Sequence, residues 1–176
     1  IAKFVLGDVQ TVLTKVATFW RQRFPIPDVA VTGSNGKTTT KEMIAAIFTE
    51  WLGADSYLAT AVNLNNQLGV PLSVLRLAPQ HKAAVFELGM NHPGEIAPLA
   101  AVAAPTIALV NNAQREHQEY MHSVDAVAAE NGMVLSALTE QGVAIFPADD
   151  HYSSFWKELA GDKKTVCFGF SQDAIV

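Results

Sequence analysis

Apolar positions recur at helical spacing through residues 8–23, where Val9, Val12, Leu13, Val16, Ala17 and Trp20 fall on one stripe behind Asp8, a good N-cap residue. Two prolines in RFPIP then break the pattern. DVAVT at 28–32 is a short apolar run and predicts a buried strand, after which KTTTKEMIAAIFTEWL at 37–52 returns to helical spacing. SYLAT at 56–60 predicts a second strand. A polar loop, NLNNQLG, follows, and Pro71 can open another helix. Strand and helix then alternate: KAAVFELG, GEIAPLAAVAA with its internal proline, TIALVNN, SVDAVAAENGMVLSAL capped by Ser123, GVAIFPA, HYSSFWKELA and KTVCFGF. Trp20, Trp51 and Trp156 fall in amphipathic helices and are expected in the core.

This alternation predicts an α/β domain with a mostly parallel sheet flanked by helices. In such sheets ligands sit outside the carboxyl ends of the strands. The polar clusters fall there: Gly33 to Thr39 follow the first core strand, Glu87 ends a later one, and Asn111 to His117 follow the next.

Composition narrows the class. The chain has 176 residues, 49% apolar and 16% charged, enough for one domain with a full core and too apolar for a disordered chain. A net charge of -5 and the lack of any basic run argue against nucleic acid as a partner. The single cysteine, Cys167, rules out an internal disulfide framework and fits a reducing compartment. No apolar run is long enough to span a bilayer and no signal peptide is visible, so no membrane partner and a cytoplasmic location are expected. The chain begins with Ile rather than Met, as expected of a piece of a longer protein.

The chemistry is concentrated in four clusters. In the first, VAVTGSNGKTTTKEM, a strand runs into Gly33, Ser34, Asn35, Gly36, Lys37, Thr38 and Thr39. Glycines let backbone N–H groups turn inward, the helix start adds the positive end of its dipole, Lys37 can reach β/γ-phosphates and the Thr38 hydroxyl can hold Mg²⁺. The spacing is G-x-x-G-K-T, shorter than the general phosphate-loop pattern, with Val31 where the first glycine would stand. In the second, AVFELGMNHPGE, Glu87 read alone is a solvated strand-end carboxylate; beside a phosphate loop it reads as a Mg²⁺ ligand. His92 and Glu95 lie close by, His92 as a loop residue. In the third, VNNAQREHQEYMHS, Asn111, Asn112, Arg115, Glu116, His117, Glu119 and His122 crowd one post-strand loop. The fourth, ATAVNLNNQLGVP, offers the amides of Asn63, Asn65 and Asn66, suited to substrate oxygens and equally to turns.

Together, TGSNGKTTTKEM, NLNNQLGVPLSVL, FELGMNHPGEI and LVNNAQREH, in that order, resemble the central domain of the Mur ligases, from about Val29 to Pro147. The shortened loop spacing is a feature of that family. The resemblance implies a phosphate-loop NTPase-like fold at 29–176, incomplete at its C-terminal end, with residues 1–28 as a linker and helix from a preceding domain. It implies ATP and Mg²⁺ as cofactors, with Gly33 to Thr39 and Asn112 toward the nucleotide. Lys37 would hold the γ-phosphate, Thr38 and Glu87 a first Mg²⁺, and His117 a second. NLNN and ELGMNHPGEI most resemble the branch of the family that joins D-alanyl-D-alanine to UDP-N-acetylmuramoyl-tripeptide through an acyl phosphate, with Asn63, Asn65 and Asn66 on the substrate side. The flanking domains of that family carry docking surfaces for both substrates, so this chain alone is expected to be inactive as a ligase. A folylpolyglutamate synthetase-like amide ligase shares the fold, and NLNNQLGVP speaks against it; a non-catalytic nucleotide-binding module is the other alternative. One position departs: where the family carries a carbamylated lysine, this chain has Asn131, and the adjacent Glu130 is the expected source of the missing negative charge.

Overall fold

The computed structural model describes residues 8–116 and 118–176. Helix α1, Val9–Arg21, starts where Asp8 accepts the Thr11 N–H at 2.8 Å, so the expected N-cap is the one used. Strands β1 (Asp28–Thr32), β2 (Tyr57–Ala59), β3 (Ala83–Glu87), β4 (Ile107–Val110), β5 (Val143–Pro147) and β6 (Lys164–Phe168) form one sheet, in the order β2-β3-β1-β4-β5-β6. Every pairing is parallel.

Helices α2 (Lys37–Leu52), α3 (Gly69–Val74), α4 (Ile96–Ala103), α5 (Gln118–Met121), α6 (Val124–Ser136) and α7 (Ser153–Ala160) complete the described elements. Ser123 caps α6 by accepting the Ala126 N–H at 3.1 Å. Pro71 and Pro98 are each the third residue of their helix, inside the first turn where no intrahelical bond needs their missing N–H. The four-residue α5 has no counterpart in the apolar pattern, being too short to show a period.

The main core, centred on Ala30, Phe86, Leu88, Val110, Leu135, Phe146 and Trp156, lies under the layer of α1, α3, α4, α6 and α7. The opposite face carries α2, whose Ala45, Ile44 and Phe48 pack on Val29, Val31 and Val85. Central strands β1 and β3 are buried at every position, as a doubly covered parallel strand should be, whereas β4 and β5 alternate because their second face is at most partly covered, Ile107 and Leu109 of β4 packing at the margin of the α2 cluster. Trp156 is fully buried and Trp20 packs partly against the core. Trp51 is 74% exposed, contrary to expectation, because Met43, Ile47 and Trp51 repeat every four residues along the outer flank of α2 rather than its buried face.

The topology sets the site. From β1 the chain travels outward to β2, returns to β3, then crosses β1 to β4 on its other side. The loops leaving β1 and β4 therefore part at a switch point, where a parallel sheet opens its ligand crevice.

Candidate phosphate-loop site

Three strand ends meet at this crevice. Register sets Glu87 of β3 opposite Val31 and Val110 of β4 opposite Thr32, so both neighbours end level with the start of the glycine loop. Gly33 has φ +130° and Gly36 φ +78°, backbone that side chains disfavour. A Cβ on Gly33 would lie 2.8 Å from the Asn111 Cβ and 3.0 Å from the Asn112 backbone N, so the loop is also close-packed there. Gly36 is the N-cap of α2 and supplies no side-chain acceptor, which leaves the first N–H groups of α2 to face outward with the helix dipole behind them.

The loop after β4 holds this turn in shape. Asn112 Oδ1 accepts the Asn35 N–H at 3.0 Å while its Nδ2 donates to the Asn35 carbonyl at 3.1 Å. Asn111 Nδ2 donates to the same carbonyl at 2.6 Å and its Oδ1 accepts from the Thr40 hydroxyl at 3.2 Å. Ser34 Oγ donates to the Gln114 carbonyl at 3.2 Å and accepts the Gln114 N–H at 2.9 Å. Asn112, expected toward the nucleotide, thus joins Asn111 in framing the loop. Lys37 Nζ donates to the carbonyls of Gly33 and Ser34, while the side chains of Thr38 and Thr39 are exposed.

Glu87 is 2% exposed, so it is not a solvated strand-end carboxylate. Its N–H donates to Thr60 Oγ1 at 3.0 Å and its Oε1 accepts from Asn65 Nδ2 at 2.9 Å, while Oε2 is buried with no partner. An orphaned, buried carboxylate oxygen is costly unless a cation or donor meets it, so the donor set fits a hard divalent ion. Lys41, one turn beyond Lys37 and also buried, donates to the Thr60 carbonyl at 3.1 Å and so anchors the strand end that carries this network. Nothing in the sequence marks it beyond a lysine on the buried face of an amphipathic helix.

The three amides divide. Asn65 is committed to Glu87; Asn66 Oδ1 caps α3 by accepting from Leu68 N at 3.2 Å and Gly69 N at 2.9 Å; the Asn63 side chain is exposed. A cleft of about 160 Å³, bounded by Lys37, Asn65, Asn66, Gly89, Met90 and Asn91, separates them from the phosphate loop. Larger hollows, of about 460 Å³ near Asp150 and Cys167 and about 540 Å³ near Tyr57 and His81, do not include the glycine loop.

The structure gives Glu130 and Asn131 different partners. Glu130, expected to bring charge to a metal, has its Oε2 accepting from Gly94 N at 2.8 Å and its Oε1 from Ile96 N at 2.7 Å, so the carboxylate caps the N-terminus of α4, where dipole and free N–H groups favour it. Asn131 points instead into the site, with Oδ1 accepting the Gly33 N–H at 2.9 Å and Nδ2 donating to Glu116 Oε1 at 3.2 Å. His117 lies outside the described residues, and among the described residues no cluster of three His, Cys, Asp or Glu side chains is positioned to hold a metal.

A glycine turn between a parallel strand and a bare helix N-terminus, at a switch point and beside a buried carboxylate, defines a phosphate-loop α/β domain. Comparison with known proteins narrows that class: the profile described as "Mur ligase middle domain" matches residues 31–176, and the chain belongs to that family. It is 41% identical over 168 residues to the UDP-N-acetylmuramoyl-tripeptide--D-alanyl-D-alanine ligase of Escherichia coli K12, covering 96% of this chain and 36% of that protein. Among solved structures, it superposes on MurF from Acinetobacter baumannii with a TM-score of 0.91 at 34% identity, over 96% of this chain and 37% of that one. MurF ligase from Thermotoga maritima in complex with ADP superposes at 0.83 and 29%, over 94% and 38%. The chain thus spans a little over a third of the length of these relatives.

Proposed function

We propose that this chain is the ATP- and Mg²⁺-binding central part of a cytoplasmic ligase of peptidoglycan precursor synthesis, which joins D-alanyl-D-alanine to UDP-N-acetylmuramoyl-tripeptide. The observation that carries the reading is the pairing of Lys37 and the bare start of α2 with Glu87 Oε2, a buried carboxylate oxygen without a partner, at one switch point. The name of the Escherichia coli relative supports the substrates and the ADP complex of the Thermotoga maritima relative supports the nucleotide.

In this reading the N–H groups of Gly36, Lys37, Thr38 and Thr39 and the Lys37 ammonium hold the β- and γ-phosphates. Gly33, Ser34, Asn35 and Asn112 fix the loop's shape. Thr38 and Glu87 would hold one Mg²⁺ and His117 a second, and the bound metal would supply charge neutralisation at the phosphates. The cleft beside Asn65 and Asn66 receives the tripeptide carboxylate close to Lys37, with exposed Asn63 at its approach. A carboxylate is a poor electrophile. Its attack on the γ-phosphorus forms an acyl phosphate and releases ADP. The amine of D-alanyl-D-alanine then attacks the carbonyl, the C–N bond forms and phosphate leaves. The protein's part is placement and charge neutralisation.

The test is phosphate release by the full-length protein from ATP, with and without the tripeptide precursor and D-alanyl-D-alanine. Release that requires both, with a new amide seen by mass spectrometry, is expected. Turnover indifferent to either peptide refutes the assignment. The 176-residue chain alone is expected to make no amide product.

A further inference from the structure

Glu116 stands in the loop after β4, and three contacts define its place. Its Oε1 accepts from Asn131 Nδ2 at 3.2 Å; Asn131 is 1% exposed, and its Oδ1 accepts the Gly33 N–H at 2.9 Å. One rigid amide on α6 thereby ties Glu116 to the first residue of the glycine turn. The other carboxylate oxygen, Oε2, lies 3.9 Å from Lys37 Nζ, with the two side chains only 13% and 18% exposed. The ammonium offered to the phosphates already faces a carboxylate, in a place where solvent screens little.

We propose that Glu116 makes triphosphate binding at Lys37 dependent on a divalent cation. The inference rests on the phosphate-site reading above and adds a role for a residue outside the set that reading uses. A triphosphate and a carboxylate compete for one ammonium here, and two anions a few ångströms apart in a poorly solvated crevice repel strongly. A divalent cation between them turns that repulsion into two attractions. Without the cation, the carboxylate opposes the nucleotide. Asn131 is neutral and cannot supply the negative charge, and Glu130 spends both oxygens on α4, so Glu116, tethered to α6 through Asn131, is the acidic group held beside Lys37. Asn131 contributes by holding the carboxylate in place rather than by touching the phosphates.

The experiment is calorimetric titration of this chain with ATP, in saturating Mg²⁺ and in EDTA, at constant ionic strength. The parent, Glu116→Gln and Lys37→Ala are compared, with thermal melts to establish that each is folded. Glutamine keeps an oxygen to accept from Asn131 and removes only the charge. In Glu116→Gln, metal-free ATP is expected to bind more tightly, so that the ratio of the two affinities falls about tenfold, a conservative size for one unit charge at this range. An unchanged ratio in a folded variant overturns the proposal and leaves the phosphate site standing, because Glu116 is then only a tether of its loop. A parent that binds no ATP with Mg²⁺, or a Lys37→Ala variant that binds as the parent does, overturns the phosphate-site reading and this inference with it.

Discussion

At the end of the sheet away from the phosphate loop, Arg21 and Asp28 form a buried pair whose disruption has a calculable cost. Asp28 is fully buried and Arg21 is 6% exposed. The guanidinium bonds Asp28 Oδ1 and the carbonyls of Phe24 and Ala103, the last at 2.7 Å, so it ties the end of α1 to the start of β1 and the end of α4. Asp28 Oδ1 also accepts from Thr106 N at 3.2 Å, while Oδ2 has no partner. Burial pushes the Asp28 carboxyl from an ordinary value of 3.8 up to about 6, against the pull of Arg21 and Thr106.

Replacing Arg21 by Met leaves a buried carboxylate without its cation and removes the guanidinium's bonds to the backbone carbonyls around it, those of Phe24 and Ala103 the shortest. Breaking such a pair costs about 3–5 kcal/mol at pH 7. A carboxyl with a raised folded pKa favours the folded state most when protonated. In the parent, this group's contribution is present below about 4, declines as pH rises through 6, and totals about 3 kcal/mol. Without Arg21 the carboxyl titrates higher still, so protonation relieves the variant at a pH where the parent gains less. The loss should therefore shrink to about 2 kcal/mol near pH 5, the residue being the lost hydrogen bonds. Adding Asp28→Asn should recover a similar part of it at pH 7. Urea unfolding of the parent, Arg21→Met and the double variant at both pH values measures this. A loss below about 1 kcal/mol at pH 7, or one no smaller at pH 5, would show that the pair is not governed by burial of charge.

Gly33→Ala should abolish ATP binding in calorimetry and lower stability by about 2–3 kcal/mol, since φ +130° and a Cβ 2.8 Å from Asn111 force the turn to move; ATP affinity within twofold of the parent refutes this. Glu130→Gln should cost about 1–2 kcal/mol in urea unfolding, by loss of one of its two bonds to the start of α4. It should leave the Mg²⁺ dependence of ATP binding unaltered; a changed dependence would return Glu130 to the metal site.

Whatever was local was legible in the sequence. Apolar periodicity located the six strands and the longer helices, because helix and strand periods and the caps Asp8 and Ser123 act over a few neighbouring residues. The glycine turn was legible for the same reason: its strand, its turn and its helix start are contiguous, so one short stretch of backbone carries the whole pattern. The tertiary structure decided what depends on partners distant along the chain. Whether Glu87 was solvated or buried turned on β3 lying between β1 and β2 and on Asn65 closing over it. Trp51 had to be either core or surface, and the flank of α2 that met the sheet settled it. Glu130 and Asn131, neighbours in sequence, were separated by the rotation of a single helical residue: one faces the start of α4, 34 residues back, and the other faces Gly33, 98 residues back. A carboxylate takes its role from the nearest donor or cation, and only the packing of α6 against two different loops fixed which one each residue would meet.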